Sequence, residues 1–290
     1  MSNILILRSG AIGDIILTFP LVLACIERFG RENVTCAAPG LMKPVARLAG
    51  IDSYIDIDIC GLHRLYTSDF QPNDASPLFN KQDCILNCLS GDNSVLHTNL
   101  NTCAREVYSL APPDDRITTH AAVYLASVLP GIGTLPEARI IPERFGPVPD
   151  KILSLFSSGK PVLTLHPGTG SPRKLIPHGL FENLIARETE SKTVIILTGP
   201  ADGSLIPFVR NMADAYTCKH LDSLPLEQVA YILHRSSWYV GLDSGISHIA
   251  GMTGTPSHVI FSATDPELWR PRSSAVTVIS PEEIENTIDF

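Results

Sequence analysis

The sequence predicts an α/β protein made of two doubly wound parallel sheets, one in each half, facing each other across a cleft. Apolar strand-like runs recur along the chain with helix-patterned stretches between them. Both halves open alike, with an apolar strand, a Gly/Ser/Thr loop and then a helix. A proline-rich passage, "IPERFGPVPDK" over 141–151, interrupts the pattern at mid-chain and reads as a connector.

In the first half the pattern places a strand over 4–7, a helix over 14–29 and strands over 34–37, 54–59 and 84–88. Helices are expected over 102–111 and 118–129. In the second half strands fall at 162–166, 194–198, 238–241 and 259–262, with helices at 178–190, 226–234 and 244–252. Alternation at this spacing implies parallel sheets covered by helices on both faces. The expected domains are 1–146 and 147–290. Ligands of such sheets sit at the carboxyl ends of the strands, where the small-residue loops lie.

At 290 residues the chain is long enough for two domains, and with 44% hydrophobic and 18% charged residues it has ample core material. A net charge of −8 argues against nucleic acid or a broad anionic surface as a partner. Glu282, Glu283, Glu285 and Asp289 gather at the C-terminus on an expected solvated helix face. The seven cysteines form no C-x-x-C pair, so they read as buried, reduced thiols rather than a disulfide frame or zinc site. The apolar stretch over 15–26 is too short to cross a bilayer, and no basic leader precedes it. A cytoplasmic protein is expected.

Chemistry concentrates in three segments. In "LTLHPGTGSPRK" (163–174), Gly168 and Gly170 allow close backbone approach. Thr169 and Ser171 offer hydroxyls, Arg173 and Lys174 bring positive charge, and a helix follows, a combination suited to a diphosphate. The loop lacks the G-x-x-x-x-G-K-[ST] pattern, and an ordinary charged strand-to-helix loop is the plainer alternative. In "WYVGLDSGISHIAGMTGTP" (238–256), a strand ends at Asp243, and Ser244-Gly245 opens a helix whose exposed N–H groups form an anion site. A simple N-cap at Asp243 or Ser244 is the other reading; Ser247 and His248 lie one turn on. Taken together, these two segments make a two-sided clamp for a nucleotide diphosphate.

The third segment is "ILILRSGAIGDIILTFP" (4–20), which puts Asp14 at the mouth of a helix. The helix dipole stabilises that carboxylate as the anion, and the anion repels phosphate. Its position suits a general base that activates an acceptor hydroxyl, with a plain helix cap as the other reading. The pair Asp56 and Asp58 matches a metal-chelating D-x-D. Within "YIDIDIC" it is explained as the solvent face of a half-buried strand, so no metal is expected.

These segments, with "TGPAD" (198–202) and "FSATDPELWRPR" (261–272), resemble glycosyltransferase family 9, the ADP-heptose:lipopolysaccharide heptosyltransferases. The resemblance runs from residue 4 to 272. It implies a GT-B fold of two Rossmann-like domains, an N-terminal one for the acceptor and a C-terminal one for the donor, with the last helix packing back on the former. It also implies metal-independent, inverting transfer of a sugar, heptose from ADP-heptose, onto a lipopolysaccharide-core or other glycan acceptor.

By similarity Asp14 is the catalytic base, and Lys174 neutralises the leaving diphosphate with Thr169, Gly170 and Ser171 beside it. Asp243 holds donor sugar hydroxyls, Ser244 and Gly245 offer N–H groups to phosphate, and His248 matches the family's histidine. No cofactor is implied. A lipid-linked acceptor would bring the protein to the cytoplasmic face of the inner membrane. The chain departs from the family at Ile176, where Trp is frequent, and at Gly203, where a ribose-binding Glu is frequent. Asp202 is the neighbouring candidate for that task. Acceptor contacts are not assigned: Arg8, His63, Arg64 and Arg105 are candidates to meet an anionic acceptor, with an ordinary surface or core role the plainer reading of each. A nucleotide-sugar-binding homologue without catalysis, or an epimerase or hydrolase on the same fold, are the alternative functions.

Overall fold

The computed structural model describes residues 3–80, 82–89 and 94–284, with the backbone alone at Asn73. Its contacts divide the chain into two units, Met1–Ala138 and Arg139–Phe290.

The first unit runs β1 (Ile4–Arg8), α1 (Ile12–Ile16), α2 (Phe19–Phe29), β2 (Val34–Ala38), α3 (Lys43–Leu48), β3 (Tyr54–Asp56), β4 (Gln82–Cys88), α4 (Ser94–Cys103), β5 (Ala104–Ser109) and α5 (Ala121–Ala126). All five strands are parallel, in the order β3-β2-β1-β4-β5. The central strand β1 is buried along its whole length, as its unbroken ILIL run requires when helices cover both faces. Leu5, Leu7, Ile85, Leu96 and Leu100 close one core layer, each 0% exposed. Such burial contributes about 1.5–3 kcal/mol per large side chain.

The second unit runs α6 (Asp150–Leu153), β6 (Val162–His166), α7 (His178–Glu188), β7 (Thr193–Thr198), α8 (Ile206–Ala215), β8 (Lys219–Asp222), α9 (Leu226–Arg235), β9 (Trp238–Leu242), α10 (Gly245–Thr253), β10 (Ser257–Ile260), α11 (Pro266–Trp269) and β11 (Val276–Ile279). Its parallel strands are ordered β11-β10-β9-β6-β7-β8, with the topological reversal between β6 and β9. Leu163, Leu165, Phe181, Leu184, Ile196 and Val240 form the core on one face of this sheet.

Several expectations are corrected. The helix expected over 14–29 is broken at Leu17–Thr18: Pro20 sits in the first turn of α2, where a missing N–H costs nothing. Instead of a helix, 102–111 carries the strand β5, because main-chain pairing with β4 (Cys84↔Glu106, Leu86↔Tyr108) overrides its charged composition. The strand expected over 54–59 ends at Asp56, whose Oδ1 accepts from the N–H of Gly40 and of Asp58 and closes a turn. The alternation is lost there, leaving Ile59 82% exposed.

The proline-rich passage falls within the second unit. The Ile140 N–H bonds to the Met252 carbonyl, and the Phe145 ring meets Tyr231 edge-on at 5.3 Å. Near the C-terminus, Glu282 and Glu283 lie in a single 3-10 turn over Pro281–Glu283. Glu285, Asp289 and the packing of a last helix lie outside the described residues.

All seven cysteines are unpaired and buried. Burial pushes the thiols of Cys25, Cys36 and Cys88 up to about 12, which keeps them protonated and unreactive.

Candidate active site

In the second unit two loops meet at the topological reversal. One leaves β6 at His166 and reaches α7 through a 3-10 turn over Pro172–Lys174; the other leaves β9 and enters α10 at Gly245. Because β6 and β9 are neighbours, the two loops are brought side by side. The Thr169 hydroxyl donates to the Asp243 carbonyl at 3.0 Å. Thr169 is therefore spent on holding the loops together and is 9% exposed. Gly170 is exposed, and a side chain there would enter open space.

Beneath the loops lies a buried polar layer. His166 contacts Ser244 Oγ through Nδ1 at 3.2 Å and Asp202 Oδ2 through Nε2 at 3.3 Å. Asp202 Oδ2 also accepts from the Gly199 N–H at 2.8 Å. Asp202 is 4% exposed. Burial alone would raise its pKa, but the hydrogen bond and charge of His166, with the N–H groups of Gly199 and Thr169, hold it below the usual carboxylate value. The residue considered for a ribose contact is thus turned inward as a brace under the loop.

Above this layer Lys174 Nζ lies 2.6 Å from Asp243 Oδ2, and the Thr264 hydroxyl donates to the same oxygen. The Asp243 side chain is 6% exposed and that of Lys174 26%, so the cation keeps an open side. The helix α10 begins beside them. Its N-cap Ser244 is extended and makes no side-chain cap bond, while Gly245 and Ile246 are half-buried. The first N–H groups of a helix have no intrahelical acceptor, so this end presents positive potential next to Lys174. Ser247 is fully buried, bonded to the Leu242 carbonyl and the Tyr239 hydroxyl. His248 is 5% exposed and engaged within the fold. Ser171 caps the 3-10 turn, its carbonyl accepting from the Lys174 N–H at 3.0 Å.

The first unit holds Asp14. Its Oδ2 accepts from the Ala11 N–H at 2.9 Å, and its Oδ1 lies 3.1 Å from Nη2 of Arg8. Arg8 ends β1, is 2% exposed and donates its other terminal nitrogen to the Cys88 carbonyl. Burial lowers its pKa, opposed by the charge of Asp14. A carboxylate has about four acceptor positions, and the Asp14 side chain is 32% exposed, so room remains for one more hydroxyl. Arg8 faces Asp14 rather than solvent, whereas His63 and Arg64 are exposed on a 3-10 turn over Leu62–Tyr66 and Arg105 is exposed on β5.

The sequence reading brought Thr169, Gly170, Ser171, Lys174, Asp202, Asp243, Ser244 and Gly245 to one region, and the structure gathers them there. It missed His166, Thr264 and the Arg8–Asp14 pair. His166 carried a signal, as a titratable side chain ending a strand that is otherwise apolar but for Thr164. Thr264 carried none in its local pattern. Asp56 is occupied with turn N–H groups, and among the described residues no three His, Cys, Asp or Glu side chains converge as a metal set.

The family model for glycosyltransferase family 9 (heptosyltransferase) matches residues 146–290. No curated protein matches the chain. Among solved structures, a family 9 glycosyl transferase from Veillonella parvula superposes with a TM-score of 0.73 at 18% identity, covering 100% of this chain and 88% of that one. The E. coli ADP-heptose lps heptosyltransferase II gives 0.69 at 15% identity, over 98% and 94% of the two chains. E. coli heptosyltransferase WaaC, solved with ADP, gives 0.69 at 13% over 96% and 92%. At these identities the likeness is one of fold. Among the described residues no helix is long and apolar enough to cross a membrane.

Proposed function

The chain belongs to glycosyltransferase family 9, the heptosyltransferases, and from that premise we propose that it moves a sugar from a nucleotide-diphosphate donor, heptose from ADP-heptose, onto a lipopolysaccharide-core or other glycan acceptor. The observation that carries the reading is Lys174 and the opening of α10 side by side at the reversal of a doubly wound sheet. A cation with an open side and a bare helix N-terminus offer two kinds of positive charge to a leaving diphosphate. That supports a metal-independent reaction.

In the proposed reaction an acceptor hydroxyl oxygen attacks the anomeric carbon as the bond to the diphosphate oxygen breaks, inverting the centre. The hydroxyl proton passes to Asp14, which Arg8 and the Ala11 N–H hold in place. Charge leaves with the nucleoside diphosphate, toward Lys174, Gly245 and the loop after β6. Asp243, already bonded to Lys174 and Thr264, is placed to share its carboxylate with donor sugar hydroxyls. A lipid-linked acceptor would have the protein work at the cytoplasmic face of the inner membrane.

The test is a thermal-shift screen with ADP, UDP, GDP and CMP, each with and without its sugar. A ligand at a hundred times its Kd stabilises by about 2.7 kcal/mol. The nucleotide that raises the melting point identifies the donor, with ADP expected. No shift with any of the four overturns the proposal.

A further inference from the structure

At the carboxyl edge of the second unit's sheet, outside the loops already described, three side chains form a closed polar cluster. Thr198 ends β7 and Asp222 ends β8, directly opposite each other in register. The Thr198 hydroxyl lies 2.7 Å from Asp222 Oδ1 and 2.8 Å from His220 Nε2. One hydroxyl has one proton, and an ionised carboxylate only accepts. Thr198 therefore donates to Asp222 and accepts from His220, whose Nε2 must carry a proton, as it does in the neutral Nε2–H form. Burial supports that form: with help from Arg210 and against the pull of Asp222, it keeps the imidazole below its usual value.

The cluster fixes one oxygen of Asp222 and leaves the residue exposed. Thr198 beneath it is 6% exposed. Ser223, the next residue, adopts a left-handed backbone (φ 52°), unusual outside glycine, and its N–H bonds back to the Thr198 carbonyl at 2.9 Å. Strained backbone of this kind persists where the surroundings hold it, and it concentrates at functional loops. The acid that the TGPAD segment supplies, Asp202, is buried beneath the loop after β6 and offers nothing outward.

In doubly wound sheets a dinucleotide's diphosphate lies over the first strand's loop, and an acid at the end of the second strand takes the ribose hydroxyls. Here the first two strands of the unit are β6 and β7, and the second ends in Thr198. The carboxylate reaches that place from β8, about 10 Å from β6 at the usual strand spacing. We infer that the outward oxygen of Asp222, oriented by Thr198 and His220, accepts hydrogen bonds from the vicinal diol of the donor's ribose. The inference rests on the nucleotide-sugar reading above and gives that reading its nucleoside end. The same charge would repel a phosphorylated ribose.

The test titrates the wild-type chain with ADP, UDP and GDP, then takes the tightest binder against its 2′-deoxy analogue. Wild type should favour the ribose form by about tenfold or more, the worth of a hydrogen bond to a charged group. Asp222→Ala should fold normally, since the side chain is exposed, and should bring the ratio close to one. Thr198→Val, which keeps shape and removes the orienting hydroxyl, should give an intermediate ratio. An unchanged ratio in Asp222→Ala overturns the inference, as does a wild-type chain indifferent to the 2′-hydroxyl. If the ratio survives while Lys174→Ala still loses diphosphate binding, only the ribose assignment falls. If wild type binds none of the three diphosphates, the nucleotide reading falls and takes this inference with it.

Discussion

A β-carbon on Gly168 would sit 2.0 Å from Oδ1 of Asp202. The backbone of the loop after β6 lies directly on a buried carboxylate, and only glycine leaves space for it. Gly168→Ala should therefore displace either the loop or the acid, costing about 1–3 kcal/mol as overpacking does. A thermal melt reads the loss, and nucleotide affinity should fall with it because the Thr169–Asp243 tie rides on the same loop. A variant that melts with wild type and binds equally well would show that the contact is slack.

The Asp202 brace also sets an acid limit. Its pKa in the folded chain lies below the usual carboxylate value, so the group contributes stability above about pH 4. That contribution is lost as pH falls through the folded value. Asp202→Asn should lower stability at neutral pH and flatten the decline below pH 4. Glu188 should keep some slope, because Lys192 and Arg187 outweigh its burial and lower its pKa as well. Denaturant midpoints between pH 3 and 7 supply the comparison, and parallel curves for the two proteins would refute the assignment.

How much of this was legible in the sequence depends on where the signal resides. The central strands β1, β6 and β9 are buried on both faces and read as predominantly apolar runs, so both sheets were visible. The edge strands β8 and β11 and the helix α8 went unseen: the first two are four residues long, with the half-exposed pattern of an edge. β5 was misread because its strand character comes from β4, not from its own residues. The site shows the same division. Small residues and charges after β6 and β9 marked the place, since loop chemistry is local. That Asp202 points inward, or that Lys174 pairs with Asp243 and Thr264, depends on residues 21 to 69 positions apart.

Lys174 is the cation of that pair, and Lys174→Ala has two expected consequences. Asp243, with its side chain 6% exposed, loses its partner, which should cost about 1–3 kcal/mol. Nucleoside diphosphate affinity should fall, and less steeply with added salt than in wild type, because one charge contact is gone. Calorimetric titrations at two ionic strengths measure both the affinity and its salt slope. Equal affinity would remove Lys174 from the diphosphate site.

Turnover should persist in excess chelator. The acid pair that most resembles a metal motif is built into a turn: Asp56 accepts from two N–H groups, and a β-carbon on Gly40 would meet its Oδ2 at 2.3 Å. A strict divalent requirement, restored by metal and abolished by Asp56→Asn, would contradict this account.

Asp14 is the proposed base, and the choice of substitution matters because of Arg8. Asp14→Ala would leave a guanidinium 2% exposed without its counter-charge, so inactivity could reflect a disturbed β1 terminus. Asp14→Asn retains an oxygen for Arg8 and loses the charge and most of the basicity. Turnover should drop by about 10²–10⁴, the usual value of general-base catalysis, while nucleotide affinity and melting point stay near wild type. Arg8→Lys should give a smaller loss in turnover with donor affinity unchanged, since it keeps a cation beside Asp14 but not the fork that also reaches the Cys88 carbonyl. Full turnover in Asp14→Asn would move the base elsewhere in the first unit and leave Asp14 as a helix cap.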